Sequence, residues 1–448
     1  MIALIKALQV VLALSILIVV HEFGHFFFSK LFGIRVDKFF LFFDASGFKL
    51  LSTKEGWFSK LFPKAKDWET EYGIGWLPLG GYCKVAGMID ESMDTEHLKN
   101  DPQPWEFRSK PAWQRLLVMF GGVLFNFIFA IIMYSVLLAN WGESYISNKD
   151  KQIYVNELAY DMGFRNGDHI ISFDDYKPEN FMMLQAYMAR ENASKAVVLR
   201  DNDTIDIYID HNRIGEVLQS PGMFSLAIPF VVAGMNEGSP NIGSDLQDGD
   251  RIIGLSGTDT PFVQDAWQTL ERNAGSVLEA DIVRDTDTLT MNLQVDTTGK
   301  LGVLLQQVEI ETKEYDILSA IPAGFKKTFS TIGGYIKDLK LVVTPSTEAY
   351  KSVGSVISIG QIFPSTWDWY SFINIIALLS VMLGVMNLLP IPALDGGHIL
   401  FTLYEIVTGR KPSDNFLYIA QLIGLILVFG LIFLSFGNDI AKIIRMFR

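Results

Sequence analysis

Cysteine is almost absent. The 448-residue chain carries one, Cys83, so it holds no intramolecular disulfide and no zinc site built on cysteine thiolates. Histidine is scarce too, at six residues, so any metal chemistry must be assembled from few rings with help from carboxylates. Charged residues make up only 19% of the chain against 49% hydrophobic, with 33 phenylalanines and a mean hydropathy of +0.25, too apolar for an ordinary soluble protein. The charge present is unevenly placed: Trp141 to Ala320 holds 13 Lys and Arg against 30 Asp and Glu, while the rest is slightly basic. That pattern describes an acidic soluble middle flanked by membrane parts, and argues against nucleic acid as a partner.

The N-terminal apolar run also lacks something, a small-residue cleavage site. Lys6 precedes it as in a secretory signal, but the run exits through His21-Glu22-Phe23-Gly24-His25 and stays apolar to Phe32. Residues 1–33 therefore read as a retained first transmembrane helix, with Gly33 as its stop. HExxH on a helix puts His21 and His25 one turn apart, able to share a Zn²⁺, with Glu22 beside them as a candidate base. Ionisable groups at membrane depth are expensive, which favours a functional cluster over a chance motif.

Residues 34–112 carry many Lys and Arg near membrane ends, so the loop reads as cytoplasmic and the N-terminus as outside. Within it, residues 69–88 suggest a β-hairpin with Leu77-Pro78-Leu79-Gly80-Gly81 as its turn. The residues alone leave open whether that hairpin dips into the membrane or packs in the cytosol. Residues 113–140 form a second span carrying Gly121, Gly122 and Asn126. The asparagine suits either helix packing or support of the site.

The acidic middle repeats itself. Asn166-Gly167-Asp168-His169-Ile170-Ile171 matches Asp248-Gly249-Asp250-Arg251-Ile252-Ile253, each a tight-turn dipeptide leading into a β-branched strand. Residues 145–215 and 226–298 thus look like a tandem pair of soluble PDZ-like α+β domains, modules that take extended peptide segments by strand addition. Asp245 stands where the second copy's pattern expects glycine. Residues 320–365 contain an amphipathic helix with Lys326, Lys327, Lys337 and Lys340, expected to lie on the outer surface of the lipid bilayer against the protein's core.

Residues 366–400 form the third span, which ends in Asn387-Leu388-Leu389-Pro390-Ile391-Pro392-Ala393-Leu394-Asp395-Gly396-Gly397-His398. Pro390 and Pro392 cannot continue a helix, and such a break at membrane depth needs a polar or protein-lined cavity around it. A catalytic Zn²⁺ wants three protein ligands and an open position. Asp395 completes a His₂Asp set, with His398 as the competing third ligand. A fourth span covers residues 413–438. A zinc transporter or a membrane-tethered peptide-binding adaptor remains compatible with these features.

The HExxH in a first membrane helix, the Asn387-to-Gly397 motif in a later one and the PDZ-like pair between them resemble the site-2 protease family of intramembrane zinc metalloproteases, most closely its regulator of sigma-E type. The resemblance implies a polytopic α-helical membrane protein with four transmembrane helices, a re-entrant β-loop that includes Leu77 to Val85, and PDZ-like domains on the periplasmic side of a bacterial inner membrane. It implies Zn²⁺ held by His21, His25 and Asp395, with Glu22 as general base and Asn387 holding the substrate strand. Single-pass membrane proteins already trimmed by another protease, such as anti-sigma factors or remnant signal peptides, become the expected substrates. One departure stands out: many members carry Ala-Gly-Pro-x-x-Asn in the second helix, where this chain has Gly121-Gly122-Val123-Leu124-Phe125-Asn126.

Overall fold

The computed structural model describes residues 2–88, 101–220 and 222–446, so the part of the expected cytoplasmic loop at 89–100 lies outside the described residues. The chain divides into two compact units. One takes in Met1–Glu143, Glu314–Val343 and Tyr350–Arg448, the other Ser144–Lys313 and Thr344–Ala349.

The first unit opens with helix α1, Ile2–Leu31, an apolar stretch with no proline, closed by Gly33 in the left-handed region at φ 64°. Strands β1 (Val36–Phe43) and β2 (Lys49–Ser52), helix α2 (Gly56–Leu61) and strands β3 (Glu71–Gly75) and β4 (Leu77–Val85) follow. The sheet order is β2-β3-β1-β4, with β1 paired parallel to β3 and antiparallel to β4. This corrects the hairpin expected at 69–88: β3 and β4 flank β1 and do not pair with each other. Leu77-Pro78-Leu79-Gly80-Gly81 is strand, not turn, and its glycines serve close approach. A Cβ on Gly80 would come within 2.6 Å of the Phe43 ring, and one on Gly81 within 2.5 Å of Ile18 on α1. Pro78 is tolerated because β4 is an edge strand, where a missing N–H breaks no ladder.

Helix α3, Ala112–Trp141, runs unbroken beside α1. A Cβ on Gly24 would sit 2.2 Å from the Gly121 carbonyl oxygen, so these two glycines let the helix backbones touch.

The second unit repeats one pattern twice. The first copy comprises β5 (Glu143–Tyr145, whose last two residues belong to this unit), β6 (Ile153–Val155), α4 (Glu157–Asp161), β7 (His169–Phe173), α5 (Leu184–Arg190), β8 (Lys195–Arg200), β9 (Asp203–Tyr208), α6 (Ile214–Gln219) and β10 (Phe224–Leu226). The second comprises β11 (Val232–Met235), β12 (Arg251–Leu255), β13 (Thr258–Asp259), α7 (Val263–Arg272), β14 (Val277–Arg284), β15 (Asp287–Gln294), β16 (Val303–Leu305) and β17 (Glu311–Lys313). The repeated turns do the same work in each copy. Asp168 and Asp250 are fully buried; each accepts a backbone N–H within its turn, from Arg165 and from Gln247, and takes a two-pronged guanidinium contact from Arg200 and Arg284 respectively. Bidentate pairing is what makes a buried carboxylate tolerable.

The chain returns to the first unit as α8, Ile317–Val343. Ala320 is buried with Leu137 and Leu138, Gly324 lies on Ser135, and Ile332, Tyr335 and Leu339 pack around Ala130 and Tyr134. The helix therefore runs antiparallel along the C-terminal half of α3, which is the part of the core its apolar stripe packs on. Its small residues, Ala320 and Gly324, are what permit that lengthwise contact. Helices α9 (Val356–Ile362), α10 (Trp369–Leu388), α11 (Asp395–Thr408) and α12 (Asp414–Met446) complete the chain. Asp439 near the end of α12 accepts hydrogen bonds from the backbone and hydroxyl groups of Ser355 and Ser358, which caps α9. Among the described residues, four helices are long and apolar enough to cross a membrane: Ile2–Leu31, Ala112–Trp141, Trp369–Leu388 and, within α12, Asn415–Ile444.

Candidate metal centre

His21 and His25 lie one turn apart on α1, on the face packed against α3, and are only 8% and 7% exposed. Asp395 reaches them because α10 stops at Leu388 and α11 starts at Asp395 itself. The Asp-Gly-Gly run does not merely interrupt a helix; it begins a new one. Gly396 and Gly397 make that start possible, since a Cβ on either would collide with the Leu389 carbonyl oxygen or with Pro392. Pro390 and Pro392 thus form the tight connection that the first turn of α11 packs on.

His21 Nε2 and His25 Nε2 are 3.3 Å apart, and Asp395 Oδ2 lies 3.2 Å from the first and 3.4 Å from the second. Three ligand atoms on a tetrahedral Zn²⁺ with bonds near 2.1 Å stand about 3.4 Å from one another. Asp395 Oδ2 is also buried without a hydrogen-bond partner, a costly state unless a cation completes it. Two imidazoles and one carboxylate therefore fit a zinc ion with one position left open. Among the described residues this is the one such convergence of His, Cys, Asp or Glu, and His398 falls outside it.

The supporting contacts set the histidine tautomers. His25 Nδ1 donates to the Val118 carbonyl at 2.9 Å, which leaves Nε2 with its lone pair facing the centre. His21 Nδ1 lies 3.0 Å from the Asn126 amide nitrogen, while Asn126 Oδ1 is buried and unpartnered. Turning that amide over puts Oδ1 on the His21 Nδ1–H, satisfies both groups and frees His21 Nε2. Asn387 places its amide nitrogen 3.3 Å from His21 Nε2. Gly122 on α3 faces both rings, and a Cβ there would lie 2.6 Å from His25 Nε2.

The centre opens into a cavity of about 620 Å³. Glu22, Asp395 and His398 line it on one side, residues 81–85 of β4 on another, and Gln421, Leu425 and Phe429 of α12 on a third. Of the five β-loop residues singled out in the sequence, Gly81 reaches this wall; Leu77, Pro78, Leu79 and Gly80 lie further along the strand. Tyr82, Lys38 and Asp44 form a linked polar group in the same wall, with Tyr82 Oη donating to Asp44 at 2.9 Å and Lys38 Nζ 3.3 Å from it. Sequence reasoning missed Gln421, Leu425 and Phe429. Their signal was present, a lone glutamine with apolar residues at i+4 and i+8 on one face of the last span.

Comparison with known proteins adds the family. The model of peptidase family M50 matches residues 9–431. A protein of Xylella fastidiosa whose name is that of a zinc metalloprotease is 26% identical, over 96% of this chain and 97% of its own. "Protease RseP" of Yersinia pestis is 26% identical over 97% and 98%, and "Regulator of sigma E protease" of Haemophilus influenzae 25% identical over 97% and 98%. With a His₂Asp cluster fit for zinc and a family match over nearly its whole length, this membrane protein belongs to peptidase family M50, the site-2 type of zinc metalloprotease.

Proposed function

We propose that this protease cuts peptide bonds within or beside the transmembrane segment of single-pass membrane proteins. The observation that carries the reading is the placement of the centre: its ligands come from a helix able to span a membrane and from the first residue of the helix that follows the break after another. His21, His25 and Asp395 hold the Zn²⁺, which when bound supplies Lewis acidity toward a water and the scissile carbonyl. Glu22 takes a proton from the attacking water as its oxygen bonds to the carbonyl carbon, then passes that proton to the amide nitrogen as the C–N bond breaks.

A substrate helix hides its carbonyls in internal hydrogen bonds, so it has to unwind to be cut. The edge of β4 that is unpaired among the described residues offers backbone groups to pair with the unwound strand, and Gly81 against Ile18 supports a re-entrant placement of this sheet beside the spanning helix. Residues 77–81 then guide the strand toward the centre, where Asn387 holds it near His21. Asn126, Pro390 and Pro392 act as structural support.

The two acidic β-rich copies are read as PDZ-like domains on the periplasmic side of a bacterial inner membrane, admitting substrates already trimmed by another protease and docking peptide segments. The Lys and Arg residues that the 34–112 loop carries near its membrane ends, the kind of residue that favours the inner side, support that orientation. Anti-sigma factors and remnant signal peptides are substrates of the right form. Purified protein incubated in detergent with a single-pass substrate carrying a shortened outer domain should release two fragments. The Glu22→Gln variant should bind zinc and release none, and equal cleavage by both would refute the role of Glu22.

A further inference from the structure

His398 lines the reaction cavity yet stands outside the metal cluster. It follows Asp395 by three residues on α11, so the two side chains are neighbours on one helix face. Among the described residues no hydrogen bond or ion pair involves its ring; only its backbone carbonyl is engaged, by the Thr402 hydroxyl at 2.7 Å. The ring is half-buried and faces the cavity, and whichever tautomer a neutral imidazole adopts it carries one N–H to donate to what enters there.

Gln421 of α12 also brings an amide to the cavity, but His398 stands on the same helix face as the ligand Asp395, and the groups around the metal ligands have other work. His25 and His21 are held by Val118 and Asn126, and Asn387 turns its amide nitrogen to the His21 side. Tyr82 and Lys38 are engaged with Asp44, and Glu22 meets the attacking water as a carboxylate, with no proton to offer the carbonyl oxygen and the one it takes bound for the leaving nitrogen. We propose that His398 donates a hydrogen bond to the carbonyl oxygen of the scissile bond as water adds to it, stabilising the negative charge that oxygen acquires. This rests on the proteolytic reading of the site. The ring receives no proton and forms no bond to substrate; the water proton still travels by Glu22 to the leaving nitrogen. In a cavity of low dielectric a fixed neutral donor at that position is worth about 100- to 1,000-fold in kcat.

The test compares full-length wild type with His398→Phe and His398→Gln. Three quantities are read: bound zinc, kcat and KM on a cleavable single-pass substrate, and the affinity of a phosphinic peptide whose tetrahedral group mimics the attacked carbonyl. The expected result is unchanged zinc, KM within about threefold of wild type and kcat lowered about 100-fold or more in His398→Phe, with less loss in His398→Gln, whose amide keeps a donor. Phosphinic peptide affinity should fall in parallel with kcat. Unchanged kcat in His398→Phe, loss of zinc in both variants, or weakened substrate binding without weakened phosphinic peptide binding would each overturn the proposal. A wild-type protein that cut nothing would count against the proteolytic reading itself, and the phosphinic peptide arm would still read His398 separately.

Discussion

Gly122 shows how much of the centre depends on a side chain that is missing. It lies on α3 opposite both metal-facing rings, with no room for even a methyl group. Gly122→Ala should push His21 and His25 apart and lower zinc affinity at least 10-fold, since smaller disturbances to the groups that orient ligands cost about 10- to 100-fold. Competition with a zinc chelator reads this directly, and unchanged affinity would contradict the packing. The His21 and His25 pair was legible from residue type and spacing, because HExxH has few other physical uses inside a membrane; the third ligand was left between Asp395 and His398, and it took the fold to bring Asp395 to the rings. Asn126 was half legible, as a polar group on a helix. Its hold on His21 needed the crossing of α1 over α3, which no local pattern encodes. Where the second-helix motif of many members has proline, this chain has Val123, and α3 runs through it unbroken.

At the scale of elements, strand β4 and helix α8 mark where sequence reading gave way. Leu-Pro-Leu-Gly-Gly has the composition of a turn, but composition does not say whether a glycine is there for backbone freedom or for lack of bulk. Here the second reason holds, as Phe43 and Ile18 take the space. The apolar stripe of α8 was correct as a pattern, but a stripe does not specify its partner. The repeated turns were fully legible, and their arginine partners, Arg200 and Arg284, were not, because each lies more than thirty residues away across a strand pair. The Arg284 guanidinium, through its hydrogen bonds, holds the Asp250 carboxyl below its usual value. A lowered carboxyl contributes stability that is present above the unfolded value near 4 and is lost as pH falls from there through the folded value. Arg284→Gln should leave that carboxylate without its counter-charge and destabilise the second copy. Hydrogen exchange on the full chain should show faster exchange in residues 230–305 with the first copy unchanged. Equal protection in both proteins would remove the pair as a support.

The whole molecule separates its tasks by charge and by solvent. Acidic residues concentrate in the unit of repeated β structure, and the histidines and carboxylate of the centre are confined to the unit with the four long apolar helices. That division was readable from composition before any motif, because burying a helix in lipid and solvating a β-rich domain demand opposite residue sets. The shape of the cavity, with α12 as its third wall, was not readable, since it depends on how distant helices meet. The central claim is that cleavage takes place at membrane depth. The most direct measurement is mass-spectrometric mapping of the new termini made from a single-pass substrate reconstituted with this protein in lipid vesicles. The account predicts termini inside the substrate's apolar segment or within a few residues of its end, absent with Glu22→Gln. Termini confined to the substrate's soluble domain, or present undiminished with Glu22→Gln, would contradict it.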